Sequence, residues 1–211
     1  MSSPPRPRHR FFAAGYDIGA RIADVRLAPL RHLVAGEAEG RVLEIGAGTG
    51  ANFDYYRWAR IEALEATEPD PFMLRRAEAR ARKLPPYVRE RLTLTQAPAE
   101  ALPFPDASFD AVVATLVLCT VADLDAAIAE TFRVLKPGGA FRLLEHVAAR
   151  GFEAKAQRFV QPVYGWLAAG CHLNRDTASA LRQAGFRVEI LRRERFGPLA
   201  PAMVATATKE S

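Results

Sequence analysis

The sequence is poor in cysteine and lysine and has no long apolar run. Cys119 and Cys171 are its only cysteines, and no Cys-x-x-Cys pair occurs. We therefore expect neither a disulfide framework nor a structural zinc site, and no bound metal. The net charge of +5 comes mostly from arginines. Because these are scattered, we favour a GC-rich coding bias over a polyanionic partner as their cause. The longest apolar run, from Ala111 to Ala122, is too short to span a bilayer.

The N-terminus is basic and is followed by an amphipathic segment. Residues 1–10 are rich in Pro, Arg and Ser, which predicts a disordered tail. Apolar residues at helical spacing from Phe11 to Val34 predict one or two helices with a break at Pro29. Asp17 and Arg21 interrupt the segment too early for the apolar core of a signal peptide, so we expect a cytoplasmic protein.

Apolar β runs alternate with helical segments in the rest of the chain. Strands are predicted for "RVLEIGA", "IEALEATE", "LTLTQA", "FDAVVATLVL", "AFRLLEHV", "FRVEILRRERF" and "PAMVATATK", and helices for the residues after Gly50, "PFMLRRAEARARKL", "LDAAIAETFRVL" and "RDTASALRQAG". This alternation predicts an α/β, Rossmann-like three-layer sandwich with a seven-stranded, mostly parallel sheet. The short connection around Gly197 predicts an antiparallel last strand. We divide the chain into a basic tail with a helical lid at 1–35 and a catalytic domain at 36–211, which carries an apolar insert at about 152–173.

Three alternate glycines, Gly46, Gly48 and Gly50, follow the first strand in "VLEIGAGTG". They predict a tight turn at which a ligand approaches the backbone. A dinucleotide fingerprint has the spacing G-x-G-x-x-G, which this loop lacks. Glu44 would repel a pyrophosphate but attract a cationic methionyl ammonium. Glu68, at the end of the second strand, can bind ribose hydroxyls in either cofactor class, so the glycine spacing and Glu44 decide for the methionyl cofactor.

Four segments in order, "LEIGAGTG", "EPDPFMLRRA", "EALPFPDASFDAVV" and "FRVLKPGGAF", resemble the successive motifs of class I S-adenosylmethionine-dependent methyltransferases. This resemblance covers about residues 41–147. "VVATLVLCTV", "RVLKPGGAFRLLEHVAA" and "AGCHLNRDTASAL" resemble the narrower methyltransferase-like family that contains the alkyl thiol methyltransferases of animals, over about residues 46–185. The resemblance implies S-adenosyl-L-methionine as cofactor and S-adenosyl-L-homocysteine as product.

Carried over residue by residue, the resemblance implies a cofactor site at the carboxyl ends of the strands. The family's usual Asp or Asn before "AEALPF" is Pro98 here, so the backbone of the next residue has to bind the adenine. Tyr16 is expected either to cover the cofactor or simply to pack against the core. The residues expected to hold the methionyl portion are Glu44, Gly46, Ala47, Gly48, Gly50, Asn52 and Phe53; those expected at the ribose and adenine are Glu68, Pro69, Met73, Ala99 and Glu100; and those expected closest to the transferred methyl group are Thr115 and Leu116.

The acceptor side is less defined by the sequence. Methyl transfer needs alignment of the reacting atoms, and a base only where the acceptor carries a proton. His146, at the carboxyl end of the fifth strand, is the best candidate base, with orientation of a loop as its alternative role. The insert "FVQPVYGWLAAGC" predicts an apolar acceptor pocket. The expected substrate residues are Tyr164, Trp166, His172 and Arg175, and Asn174 is an expected helix cap.

We therefore expect methyl transfer to a small hydrophobic acceptor, for which the narrower resemblance implies a thiol. No nucleic-acid partner is expected, because no basic stripe with interleaved aromatic residues is visible. Two alternatives stay open. The basic N-terminus and its amphipathic helix can lie on an anionic bilayer, which allows a lipid or quinone acceptor at the membrane surface. The other alternative is a non-enzymatic cofactor-binding module.

Overall fold

Seven strands form one sheet in the computed structural model, which describes residues 26–149, 151–167, 171–197 and 199–210, and only the backbone at residues 152 and 162–167. The predicted tail and Tyr16 lie outside the described residues. The strands are β1 (Gly40–Ile45), β2 (Ile61–Thr67), β3 (Leu92–Thr95), β4 (Phe109–Thr115), β5 (Leu135–His146), β6 (Phe186–Arg195) and β7 (Pro201–Lys209).

The strand order is β3-β2-β1-β4-β5-β7-β6. The neighbouring pairs from β3 to β5 are parallel, whereas β7 is antiparallel to both β5 and β6. The predicted fold class, with its antiparallel last strand, is confirmed. Chain order reverses between β1 and β4, and such a reversal opens a ligand-binding crevice at the carboxyl ends of the two strands.

Six helices are described: α1 (residues 26–34), α2 (Pro71–Ala81), α3 (Pro86–Arg89), α4 (Leu124–Val134), α5 (Phe152–Leu167) and α6 (Thr177–Gln183). An aspartate precedes each of three and accepts a hydrogen bond from a first-turn amide: Asp70 for α2, Asp123 for α4 and Asp176 for α6. These caps satisfy amides that have no partner within the helix. The cap of α6 is therefore Asp176, and the expected cap Asn174 is wrong. No helix among these described segments is both long and apolar enough to cross a membrane.

Buried side chains cover both faces of the sheet. On one face, Phe109 and Phe141 pack with Ile128 of α4 and Leu181 of α6. On the other face, a second cluster joins the strands to α1, α2 and the segment after β1; its members include Leu30, Val34, Phe53, Leu64, Ala77, Val113 and Leu144. Helices on both faces of a largely parallel sheet make the three layers that the sequence predicts.

The helix predicted after Gly50 is wrong. Residues 51–56 form successive turns, with bonds of the i to i+3 type such as Phe53 N to the Gly50 carbonyl. The Phe53 carbonyl, which an α-helix would pair with the amide four residues later, instead accepts the indole N–H of Trp58 at 3.0 Å. The segment "ANFDYYRW" is also rich in residues of low helix propensity.

One further expectation needs correction, and one helix was not predicted. The described helix α1 continues through Pro29, so the expected break is wrong. A proline removes one hydrogen bond, and the burial of Leu27, Leu30 and Val34 holds the helix against the core in spite of that loss. The apolar insert contains α5, because its apolar residues recur at helical rather than irregular spacing.

Candidate active site

The glycine loop follows β1 at the point where chain order reverses. The amide of Gly48 donates to Oε2 of Glu68 at 2.8 Å, and the amide of Asp70 donates to Oε1 at 2.9 Å. Glu68 is thus fixed against the loop from the end of β2, and burial raises the pKa of its carboxyl above the ordinary value. The loop and the predicted ribose-binding carboxylate therefore form one unit.

The three glycines of the loop have different tasks. All three have a positive φ. A Cβ on Gly46 would lie 2.6 Å from a methyl group of Val117, and one on Gly50 would lie 2.3 Å from the ring of Phe53. Those two positions are closed by packing. A Cβ on Gly48, in contrast, would meet no atom of the described residues within 4 Å. The backbone at Gly48 faces open space, and a ligand can approach it there.

A buried polar network lies beneath the loop. Oε1 of Glu44 accepts from the amide nitrogen of Asn52 at 3.0 Å, and Oε2 accepts from the hydroxyl of Tyr56 at 2.9 Å. The same amide nitrogen donates to Oγ1 of Thr115, while Arg31 of α1 donates to Oδ1 of Asn52. The expected methionyl contacts Glu44 and Asn52 are thus almost fully buried. Through these bonds they join β1, the segment after the glycine loop and the end of β4.

Burial dominates the electrostatics of this network. It raises the pKa of Glu44 to about 7, against the opposing hydrogen bonds from Tyr56 and Asn52 and the charge of Arg31. Burial and the nearby Glu44 carboxylate also raise the pKa of Tyr56 well above its ordinary value. Arg31 and Tyr56 were not predicted as site residues; the signal for Arg31 is a single arginine between apolar residues in "APLRHLV".

The other expected cofactor residues lie around the same crevice. Ala47 is buried and its amide donates to the Thr67 carbonyl, Pro69 is exposed, Met73 is half-buried in the first turn of α2, and Ala99 is buried. The carboxylate of Glu100 accepts the amides of Ala122 and Asp123. It therefore holds the turn before α4. Contacts of these residues with adenine stay a prediction.

The turn after β4 is held by a buried carboxylate. Leu116 begins the turn with a φ of 58°. Glu145, on β5, accepts the amides of Val117 and Leu118 at 2.8 and 2.9 Å through one oxygen, and the amide of Cys119 at 3.2 Å through the other. Burial raises the pKa of Glu145 to about 7, against the effect of these three donors. The turn places Cys119 next to the end of β5.

Two cysteines and a histidine meet beyond this turn. Nδ1 of His146 lies 3.6 Å from Sγ of Cys171 and 3.9 Å from Sγ of Cys119. Hydrogen bonding with Cys119 lowers the pKa of the Cys171 thiol below its ordinary value, and the pKa of the Cys119 thiol is raised correspondingly. Both cysteines are buried and unbridged. The candidate base therefore faces two thiols, which the sequence analysis did not bring together.

The expected substrate residues are only partly described. The side chains of Tyr164 and Trp166 lie outside the described residues. His172 is exposed. The guanidinium of Arg175 donates to the carbonyls of Leu118 and Val121, so it braces the turn after β4.

Two glutamines of α5 that the sequence analysis missed complete the acceptor side. Gln157 is fully buried and bonds the amide of Ala149 and the carbonyls of Leu173 and Leu199. Gln161 bonds the carbonyl of Cys171 at 2.7 Å. A glutamine pair four residues apart within an apolar helix was the available signal.

Replacing Glu44 by Gln should flatten the pH dependence of stability between pH 4.5 and about 7. The folded chain binds the Glu44 proton more tightly than the unfolded chain does. The contribution of Glu44 to the free energy of unfolding is therefore highest below this window and falls as the pH rises through it. The wild-type value minus the variant's value should decrease by up to about 3 kcal/mol across the window. Urea unfolding at a series of pH values measures this difference.

Glu62→Gln, at an exposed position of β2, is the matched control and should leave the difference unchanged with pH. If the difference in free energy of unfolding between wild type and Glu44→Gln is also independent of pH, the Glu44 carboxyl has the same pKa in the folded and the unfolded chain, which contradicts the prediction.

Similarity to known proteins agrees with this geometry. Residues 43–143 match the family described as "Methyltransferase domain". Human thiol S-methyltransferase TMT1A is 36% identical over 148 residues, which are 69% of this chain and 59% of that protein. Human TMT1B is 31% identical over 188 residues, 85% of this chain and 75% of that protein. The ubiquinone/menaquinone biosynthesis C-methyltransferase UbiE of Pasteurella multocida is 41% identical over 108 residues, 50% of this chain and 39% of that protein.

Solved structures share the fold at lower identity. The YcgJ protein of Bacillus subtilis matches with a TM-score of 0.72 at 18% identity, over 88% of this chain and 98% of that one. A geranyl diphosphate methyltransferase in complex with GPP and sinefungin matches with a TM-score of 0.69 at 15% identity, over 88% of this chain and 77% of that one. These structures share the fold, and the sequence match to TMT1B shows the family. The chain belongs to the class I S-adenosylmethionine-dependent methyltransferases, in the family that includes TMT1A and TMT1B.

Proposed function

We propose that the protein transfers a methyl group from S-adenosylmethionine to the sulfur of a small hydrophobic thiol. The observation that carries this proposal is the extent of the similarity to human TMT1B. The alignment covers 85% of this chain, so the part outside it is short. Wherever that part lies at the two ends, the alignment still contains the turn after β4, the end of β5 and the segment around Cys171. It therefore includes the acceptor side as well as the cofactor loop.

The crevice fits the cofactor on structural grounds. The backbone of Gly48 faces open space, and Glu68 presents a largely buried carboxylate to it. Glu68 would accept hydrogen bonds from the ribose, the loop from Gly46 to Gly50 would hold the methionyl portion, and Thr115 and Leu116 would border the methyl group. Glu44, through Asn52, places negative charge below the loop, which suits a cationic ligand. When bound, S-adenosylmethionine supplies an electrophilic methyl group.

The residues of the chain then have to align the acceptor and favour loss of its proton. The thiol of free cysteine has a pKa near 8.5. A thiol of this kind needs only modest assistance to lose its proton at neutral pH. His146 is the polar side chain at the end of β5 and lies among Cys119 and Cys171, with the ring of Phe196 against its edge. We propose that the acceptor thiol loses its proton beside this imidazole, with apolar side chains excluding water.

A quinone or lipid acceptor is the second candidate. The similarity to UbiE, a C-methyltransferase of ubiquinone and menaquinone biosynthesis, favours it. That alignment covers 50% of this chain, against 85% for TMT1B. The longer match therefore favours the thiol.

Gly48→Ala should weaken cofactor binding by more than its backbone cost explains. The substitution puts a methyl group into the open space that the cofactor would fill, and its left-handed φ of 59° costs about 1–2 kcal/mol. We expect the dissociation constant for S-adenosylhomocysteine, measured by calorimetry, to rise at least about tenfold, which corresponds to about 1.4 kcal/mol.

Gly138→Ala is the matched control for the backbone cost. Gly138 has a φ of 76°, and its added Cβ would also meet no described atom within 4 Å, but it lies at an exposed position near the amino end of β5. It should lose similar stability and keep its affinity. Equal losses of affinity in both variants would contradict the placement of the cofactor at Gly48.

A screen of small hydrophobic thiols, phenols, amines and quinols tests the acceptor. We expect turnover on a thiol, with S-adenosylhomocysteine formed in equal amount. Glu68→Ala should lose this turnover, since each hydrogen bond to a charged group contributes about 1.5–3 kcal/mol. Turnover on a quinol and on no thiol would refute the thiol and support the second candidate.

A further inference from the structure

Cys119, His146 and Cys171 form a compact set of metal-ligating atoms outside the cofactor loop. Their Sγ, Nδ1 and Sγ atoms all lie within 4.8 Å of one another, and both cysteines are buried. The three residues come from the turn after β4, the end of β5 and the segment before α6. Methyl transfer to an activated donor requires no covalent cysteine intermediate, so the proposed reaction leaves the two thiols without a task.

The spacing of the three atoms is that of a tetrahedral zinc site. Zinc binds cysteine sulfur at about 2.3 Å and histidine nitrogen at about 2.0–2.1 Å, so neighbouring ligand atoms around one ion lie about 3.5–3.8 Å apart. The distances from Nδ1 of His146 to the two sulfurs are 3.6 and 3.9 Å. The imidazole is therefore within a few tenths of an ångström of its place, whereas the two sulfurs, which lie within 4.8 Å of each other, would have to approach by up to about 1 Å. Two sulfurs with one imidazole select a thiophilic metal.

The backbone around each cysteine is held in place before any ion binds. The amide of Cys119 donates to Glu145, and its carbonyl accepts the amide of His172 at 2.6 Å, which ties the two cysteine segments together. The carbonyl of Cys171 accepts from Gln161. Polar groups that fix the surroundings of metal ligands in this way raise the affinity of a site.

We propose that Cys119, His146 and Cys171 bind one zinc ion whose fourth position takes the sulfur of the acceptor thiol. Within the described part of the chain, no fourth Cys, His, Asp or Glu belongs to the group, and zinc sites with three protein ligands and one open position are the catalytic kind. Leu116, the residue expected next to the methyl group, packs directly against this cluster. In this proposal the acceptor sulfur approaches the ion from the side of Leu116.

This inference rests on the proposed thiol acceptor and names what removes its proton. The acceptor R–SH binds to the ion as R–S⁻, and its proton passes to solvent. The thiolate sulfur forms a bond to the methyl carbon, the bond from that carbon to the donor sulfur breaks, and the electron pair stays on the donor sulfur. The products are the thioether R–S–CH₃ and S-adenosylhomocysteine. No oxidant or reductant takes part.

Metal titration of the reduced, chelator-treated protein tests the site. We expect one Zn²⁺ per chain by elemental analysis, and one Co²⁺ per chain with thiolate-to-cobalt charge transfer and the strong visible bands of a tetrahedral ion. Adding a small thiol without cofactor should shift those bands, because it enters the fourth position. Absence of stoichiometric metal binding, or cobalt bands that no thiol alters, would overturn the inference.

Three variants and one control show which side chains hold the ion. Cys119→Ser, Cys171→Ser and His146→Gln should each weaken metal binding at least about 100-fold. His172→Gln is the control for metal content, because this histidine follows Cys171 directly but is exposed. Retained affinity for S-adenosylhomocysteine shows that a variant is folded. Folded variants that still bind the metal like the wild type would contradict the assignment.

The outcomes separate this inference from the proposed function. Thiol methylation at an undiminished rate by metal-free protein would refute the zinc site and keep the thiol acceptor. A stoichiometric metal site whose cobalt bands respond to thiols, in a protein that methylates only quinols, would support the site and refute the acceptor.

Discussion

A single buried carboxylate holds the two sides of the active site at a fixed distance. Glu145 is completely buried, and its two oxygens bind three successive amides of the turn after β4. Those amides belong to no helix or strand, and buried amides have to be paired. Thr115, the last residue of β4, bonds to the network under the glycine loop just before the turn, and Cys119 lies in the turn next to His146. Movement of Glu145 would therefore displace cofactor-side and acceptor-side residues together.

On the cofactor side, buried carboxylates likewise bind neighbouring polar groups at the ends of β1 and β2. Glu44 and Glu68 are buried at the carboxyl ends of these strands, and burial raises the pKa of both. A raised pKa means that the charged form is destabilised by its surroundings, so these acids lower the stability of the folded chain at neutral pH. A positively charged ligand reverses part of that loss. Buried acids that are unfavourable for folding are thus favourable for binding S-adenosylmethionine.

Local patterns in the sequence were sufficient for most of the sheet. Runs such as "FDAVVAT" predict a strand buried on both faces whatever surrounds them. The helix after Gly50 was predicted wrongly because its outcome depends on a side-chain contact, the bond from the Trp58 indole to the Phe53 carbonyl, which hydrophobic periodicity does not report. Arg31 was missed for a related reason. Its partner Asn52 lies 21 residues away, and no periodicity marks such a pair.

On the acceptor side, the spacing of residues in the sequence does not reveal which side chains lie together. Metal ligands are recognised in a sequence when they lie a few residues apart on one loop. His146 lies 27 residues after Cys119 and 25 before Cys171, and each comes from a different element. They meet because β4 and β5 are parallel neighbours, so residues at and beyond their carboxyl ends converge at one edge of the sheet. The segment around Cys171 is held by Gln161 of α5, whose side chain donates to the Cys171 carbonyl. The expectation of no structural zinc site rested on the missing Cys-x-x-Cys spacing, and spacing does not report which side chains the strand order brings together.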